Sequence, residues 1–121
     1  MRPRLAASLA TVALAVSSCG PTPPQAPLRD AKKLDEATGD LSSACGSAYQ
    51  VTAFPGDHRK DLITLEVTAT SAASKLALVY RRNPSWIYQG ETVGEIVSNA
   101  DSMLGSCGLH QAQSALERAT R

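Results

Sequence analysis

The sequence predicts an all-α domain: a small up-down-up bundle of three helices joined by one disulfide. From Asp30 onward, apolar residues recur at alternating spacings of three and four, as they do on one face of a helix. Cys45 and Cys107 fall at matching heights on the first and third of these helices. The 121 residues suit one small domain. Because 12 basic residues are balanced by 11 acidic ones, we expect no nucleic-acid partner, which would need clustered Lys and Arg.

The first predicted helix begins at Asp30, a residue type favoured at the N-cap. It ends before Phe54, Pro55 and Gly56, because proline and glycine do not continue a helix. Its apolar stripe consists of Leu34, Ala37, Leu41, Ala44, Ala48 and Val51.

The second predicted helix opens after Asp57, another favourable N-cap residue, and ends at Asn83 and Pro84. Its apolar stripe consists of Leu62, Leu65, Ala69, Ala72, Leu76 and Val79. Residues 63–70 also alternate strictly between apolar and polar, as in a half-buried strand, and Tyr49, Val51 and Ala53 alternate as well. An α+β fold with a hairpin around residues 49–70 is therefore an open alternative.

The third predicted helix opens at Thr92 and Glu95, which have the spacing of a capping box. Its stripe consists of Val93, Ile96, Ala100, Met103 and Cys107, continuing less regularly through Ala112, Leu116 and Ala119. Short connections between long helices favour antiparallel neighbours, so the first and third helices should run parallel to each other.

The positions of Cys45 and Cys107 predict a disulfide between the first and third helices. Each lies 14 residues beyond the proposed start of its helix, at residues 31 and 93, and small residues flank both. Small neighbours let two helices approach closely enough for the bond. A metal site of Cys45, Cys107 and His110 is the less favoured alternative, because a fourth ligand is missing from the pattern. We therefore expect neither a metal nor a cofactor.

The chain opens with features of an export signal. Two arginines precede an apolar run, residues 5–16, that is too short for a permanent membrane span. The residues Val16, Ser17, Ser18 and Cys19 resemble the lipobox of bacterial lipoprotein precursors. The resemblance implies cleavage before Cys19, lipidation of that cysteine, and attachment to the outer face of the bacterial cell membrane, or to the outer membrane of a two-membrane organism.

The chain thus divides into a predicted signal peptide, residues 1–18, a lipidated cysteine with a proline-rich tether, residues 19–29, and a helical domain, residues 30–121. The loop after the second helix contains Arg81, Arg82, Trp86 and Tyr88, residue types common at binding surfaces. It lies at the end of the bundle nearest the tether. We expect these four residues to contact a partner or lipid headgroups, with the alternative that Trp86 folds back to close the bundle.

The sequence contains no nucleophile elbow, zinc-protease motif or phosphate-binding glycine loop. The two histidines, His58 and His110, lie outside any acid–base constellation. The expected function is therefore that of a non-catalytic, lipid-anchored cell-envelope protein, an interaction, structural or accessory module whose partner is another envelope protein. The alternative is an envelope lipoprotein that carries a small ligand or a metal between its helices.

Overall fold

A computed structural model describes residues 23–121 of the protein, and the predicted signal peptide, lipobox and lipidated Cys19 lie outside the described residues. This part of the chain forms four helices: α1 (Leu28–Thr52), α2 (Arg59–Arg82), α3 (Val93–Ser106) and α4 (His110–Ala119). Between α2 and α3, the short strands β1 (Ile87–Tyr88) and β2 (Glu91–Thr92) pair as an antiparallel hairpin. The predicted small helical bundle with a disulfide is confirmed, with four helices in place of three.

The alternative of a long hairpin around residues 49–70 is wrong. Those residues belong to the end of α1, the turn after it and the first half of α2. The alternation has a helical explanation: Leu65 and Ala69 face the core, whereas Ile63 and Val67 lie on the solvent side of the same helix. An apolar residue on each side of a helix can imitate the two-residue period of a strand.

The single third helix that we predicted is divided in two at Gly108. Gly108 has a φ of +83°, in the left-handed region that favours glycine. The Leu109 N–H donates to the Leu104 carbonyl at 3.0 Å and the Gly108 N–H to the Gly105 carbonyl at 3.3 Å, the two bonds of a Schellman motif. The chain reverses there, and α4 returns along α2 and α3.

Side-chain pairs define the directions of the helices. Asp30 and Glu36 of α1 pair with Arg82 and Lys75 of α2, so α1 and α2 are antiparallel. The hairpin lies beside the start of α1, whereas the disulfide joins the end of α3 to the later half of α1, so α1 and α3 run parallel. With α4 turned back, the four helices alternate in direction.

The predicted stripes form most of one alanine-rich core. Its buried apolar residues are Leu34, Ala37, Leu41, Ala44, Cys45, Ala48, Ala69, Ala72, Ala73, Leu76, Ala77, Val79, Val93, Ile96, Val97, Ala100, Leu104, Leu109, Ala112 and Leu116. Among the described residues, α2 alone is long and apolar enough to cross a membrane by length and composition. It packs extensively against α1 and α4, and a core helix passes the same test.

Two of the three predicted helix starts differ from the structure. Asp30 lies inside the first turn of α1, which begins at Leu28, and the N-cap of α2 is His58 rather than Asp57. Asp57 accepts a hydrogen bond from the Arg59 N–H at 3.0 Å. The capping box at α3 is confirmed: the Thr92 N–H donates to Glu95, and the Glu95 N–H donates to the Thr92 hydroxyl.

A side chain from another helix caps the start of α4. Leu109, the residue before α4, offers no capping side chain. The Glu66 carboxylate of α2 accepts from the Gln111 N–H at 3.1 Å and from the Ala112 N–H at 3.0 Å. A carboxylate at a helix N-terminus also interacts favourably with the helix dipole. Glu66 thus fixes α4 against α2.

Replacing Glu66 with alanine should lower the free energy of unfolding by about 2 kcal/mol, because two N–H groups lose a charged acceptor. Glu66→Gln retains one side-chain oxygen and should cost about half as much. Urea unfolding of the three proteins measures both effects. An alanine variant as stable as the wild type would contradict this role.

Candidate functional site

The disulfide between Cys45 and Cys107 joins α1 to the C-terminal end of α3, with the two Cα atoms 5.4 Å apart. Because the two sulfurs are bonded to each other, they do not form the thiolate ligands of the alternative metal site. His110 instead contacts the Gln113 side chain, with 3.3 Å between Nδ1 and Oε1. Within residues 23–121, no group of three potential ligands is placed to hold a metal ion.

The proline-rich segment before α1 pairs with the hairpin. The Ile87 N–H donates to the Pro24 carbonyl at 3.0 Å, and the Ala26 N–H donates to the Ile87 carbonyl at 2.9 Å. Gln25 and Ile87 form a parallel bridge, and Ala26 packs partly against the core. The chain that follows Cys19 is therefore held beside β1 from residue 24 onward.

The structure brings the four predicted contact residues to this same end of the bundle. Arg82 Nε lies 3.0 Å from Oδ1 of Asp30, whose side chain is only 1% exposed. The Arg82 guanidinium also lies over the Trp86 ring, 5.5 Å from its centroid. Arg81 donates to the Ala119 carbonyl at 3.3 Å, at the C-terminal end of α4.

Trp86 and Tyr88 are half-buried and pack against the core. Two of the four side chains thus contribute to closing this end of the bundle, and both arginines have partners within the domain. The contacts of these residues with another protein or with lipid stay predictions.

A groove of about 260 Å³ opens between α1 and α3. Its floor consists of Leu41, Ile96, Ala100 and Met103, and its rim includes Ser42, Tyr88, Gln89, Glu91 and Asn99. The helices are joined at one end by the disulfide and approached at the other by the hairpin, and they touch little between. The sequence suggested a ligand between helices only as an alternative and did not identify these residues, because the groove depends on the separation of two helices rather than on a residue motif.

The largest exposed apolar residues in the described chain include four near the α1–α2 turn, at the end opposite to the hairpin. Phe54 is 67% exposed and Ile63 is 64% exposed; the other two are Tyr49 and Val67. Ile63 and Val67 lie one turn apart on α2, and exposed apolar side chains that share a helix face mark interaction surfaces more often than isolated ones do. The predicted second helix leaves Ile63 and Val67 outside its core stripe, and that position was the signal that could have identified them as exposed apolar residues.

Asp101 of α3 and Glu117 of α4 line the same surface depression. The pKa of Glu117 is raised from its ordinary value, first by a hydrogen bond with the Asp101 side chain and then by the Asp101 charge, while Arg121 opposes the shift. Glu117 therefore holds its proton more tightly in the folded state. Its contribution to stability is complete below the unfolded pKa and is lost as the pH rises through the folded pKa.

Glu117→Gln should therefore raise Tm slightly at pH 7, because an uncharged amide can donate to Asp101 without repulsion. The difference between variant and wild type should shrink as the pH falls from 7 to 4, because acid increasingly removes the charge of Glu117. Thermal unfolding between pH 4 and pH 8 measures it. The matched variant Asp35→Asn removes one exposed negative charge elsewhere; an identical pH profile for both variants would contradict the pairing.

No family model matches the chain, and no curated protein and no solved structure is significantly similar to it.

Proposed function

We propose that the protein is a non-catalytic, lipid-anchored cell-envelope module that is attached to the membrane at one end and binds another envelope protein at the other. The proposal rests on one observation: the membrane-proximal segment and a set of exposed apolar residues lie at opposite ends of the domain. The segment that follows Cys19 is fastened to the hairpin, whereas Tyr49, Phe54, Ile63 and Val67 are exposed near the far turn.

The hydrogen bond between Pro24 and Ile87 keeps the domain close to the proposed lipid on Cys19. Five residue steps separate Cys19 from Pro24, and a fully extended chain covers at most about 18 Å in that length. The hairpin end would therefore remain near the membrane surface. Leu28, at the start of α1, is 81% exposed at this end and is suited to contact with lipid.

The opposite end is the better candidate for binding a protein. α1 contains 25 residues and is about 37 Å long, so the α1–α2 turn can project well away from the hairpin end. Aromatic and aliphatic side chains such as Phe54 and Ile63 are typical anchors of protein interfaces. The structural or accessory roles considered from the sequence are compatible with the same surface.

Photo-crosslinking in the native envelope tests the proposal. A benzoylphenylalanine introduced at Phe54 or Ile63 should produce a discrete adduct with another envelope protein. The same group at Ser85, which is exposed at the hairpin end, is the matched control and should not produce that adduct. The variant Phe54→Ser should lose the partner in a pull-down while its far-UV circular dichroism is unchanged.

The proposal would be overturned if neither far-end position formed an adduct, or if Ser85 gave the same adduct as Phe54. A folded Phe54→Ser variant that retained the partner would also count against this surface. Recovery of the protein without lipid would overturn the anchoring half of the proposal and leave the binding half to be judged by the adducts.

A further inference from the structure

The groove between α1 and α3 has the composition of a small-ligand site. Leu41, Ile96, Ala100 and Met103 form an apolar floor, and the polar groups around it come mainly from the hairpin and α1, with one from α3. Ligand sites commonly combine an apolar cavity with a few convergent polar groups. Met103 is half-buried, and its flexible side chain can adapt to an apolar guest.

The walls of the groove are held in place. The disulfide fixes α1 against the end of α3, close to Met103, and the β1–β2 hairpin lies across the other end. At the tip of the hairpin, Gln89 has a φ of +49°. Gly90 also has a positive φ, of +83°, and a two-residue type I′ hairpin turn requires a positive φ at both positions, so the turn is tight.

The charge at the rim selects the ligand. Glu91 is the only Asp, Glu, Lys, Arg or His among the residues that line the groove. One carboxylate oxygen of Glu91 accepts from Asn99 Nδ2 at 3.2 Å. Within residues 23–121, no Lys, Arg or His forms an ion pair with Glu91. The groove therefore offers an unneutralised carboxylate beside an aromatic ring and an apolar floor.

We propose that this groove binds a small organic ammonium cation that carries an aliphatic tail. The tail lies on the apolar floor, and the ammonium group lies at the rim between the Glu91 carboxylate and the Tyr88 ring. A carboxylate and an aromatic face both attract an alkylammonium group. This activity is independent of the protein partner and of the lipid on Cys19.

The test uses the full chain, with its disulfide intact, in micelles of a non-ionic maltoside detergent. Methyl labelling of methionine and isoleucine places NMR reporters inside the groove at Met103 and Ile96, and outside it at Ile63. The probes are hexylammonium, hexan-1-ol and hexanoate, which share one tail and differ in charge. Hexylammonium should shift the Met103 and Ile96 signals saturably and should bind about fivefold more tightly than hexanol.

Two charge variants distinguish attraction by the Glu91 carboxylate from attraction by the net charge of the protein. Glu91→Gln should abolish the preference for hexylammonium over hexanol, whereas Glu36→Gln, on α1 outside the groove, should preserve it. Ser42→Trp obstructs the rim from an exposed position and should weaken both probes without unfolding the protein. Thermal unfolding of each variant verifies the fold.

Three results would overturn the proposal. Equal shifts at Ile63 and Met103 would mean general partitioning into the protein or the micelle. Equal affinity for hexanol and hexylammonium would mean that the groove recognises only the tail. Equal effects of Glu91→Gln and Glu36→Gln would mean that net charge, rather than the carboxylate at the rim, attracts the amine.

Discussion

Replacing Cys45 and Cys107 together with alanine should lower the free energy of unfolding by about 4 kcal/mol. The disulfide closes a loop of 63 residues, counting both cysteines, and its loss frees the unfolded chain from that constraint. Other contacts do not replace the bond, because α1 and α3 touch little elsewhere and the core is rich in small alanine side chains. Urea unfolding of the oxidised protein and of the double variant measures the difference.

Reduction of the wild-type protein provides the matched control. A reductant should lower its unfolding midpoint nearly to that of the double alanine variant and should leave the midpoint of the variant unchanged. The Cys19→Ala variant, which preserves the disulfide, should unfold at the same midpoint as the wild type. A wild-type midpoint insensitive to reduction would contradict the stabilising role of the bond.

Replacing Arg82 with methionine should cost about 3 kcal/mol. Asp30 is buried, and Arg82 is the one cationic group paired with its carboxylate among the described residues. Removing one partner of a buried ion pair leaves an uncompensated charge, which is strongly destabilising. Because the Arg82 side chain is about half exposed, we expect the lower end of the usual range. Urea unfolding measures the loss.

A double-variant cycle distinguishes the ion pair from the packing of Arg82 on Trp86. Asp30→Asn in the Arg82→Met background should recover part of the lost stability, because it removes the unpaired charge. Arg81→Met is the neighbouring control: it loses one hydrogen bond to the Ala119 carbonyl and should cost about 1 kcal/mol. Equal losses for Arg81→Met and Arg82→Met would rule out a special role for Asp30.

The helices could be predicted where the spacing of the apolar residues coincides with the buried face of the helix. The stripes from Leu34 to Ala48 and from Ala69 to Val79 lie in the core, and the Thr92 capping box forms within four consecutive residues. The break at Gly108 was missed because the apolar stripe resumes at Ala112, although its spacing widens to five residues between Cys107 and Ala112. A glycine with positive φ ends a helix through its backbone, and residue spacing alone does not record that conformation.

The surroundings of the candidate sites were less predictable because they depend on contacts distant in sequence. Asp30 looked like an N-cap, but the hairpin holds the segment before α1 and Arg82 pairs with the carboxylate. The cysteine pairing could be predicted because helix length converts sequence position into height along the bundle. The groove beside Met103 arises from the spacing of α1 and α3, which no local pattern encodes.

The intact mass of the protein extracted from its native envelope tests most directly whether the protein is lipid-anchored and whether Cys45 and Cys107 form a disulfide. The mass is measured before and after reduction with thiol alkylation. We expect a chain that begins at Cys19, carries acyl groups, and alkylates at Cys45 and Cys107 only after reduction. A chain without acyl mass would contradict the anchor, and alkylation of Cys45 and Cys107 before reduction would contradict the disulfide.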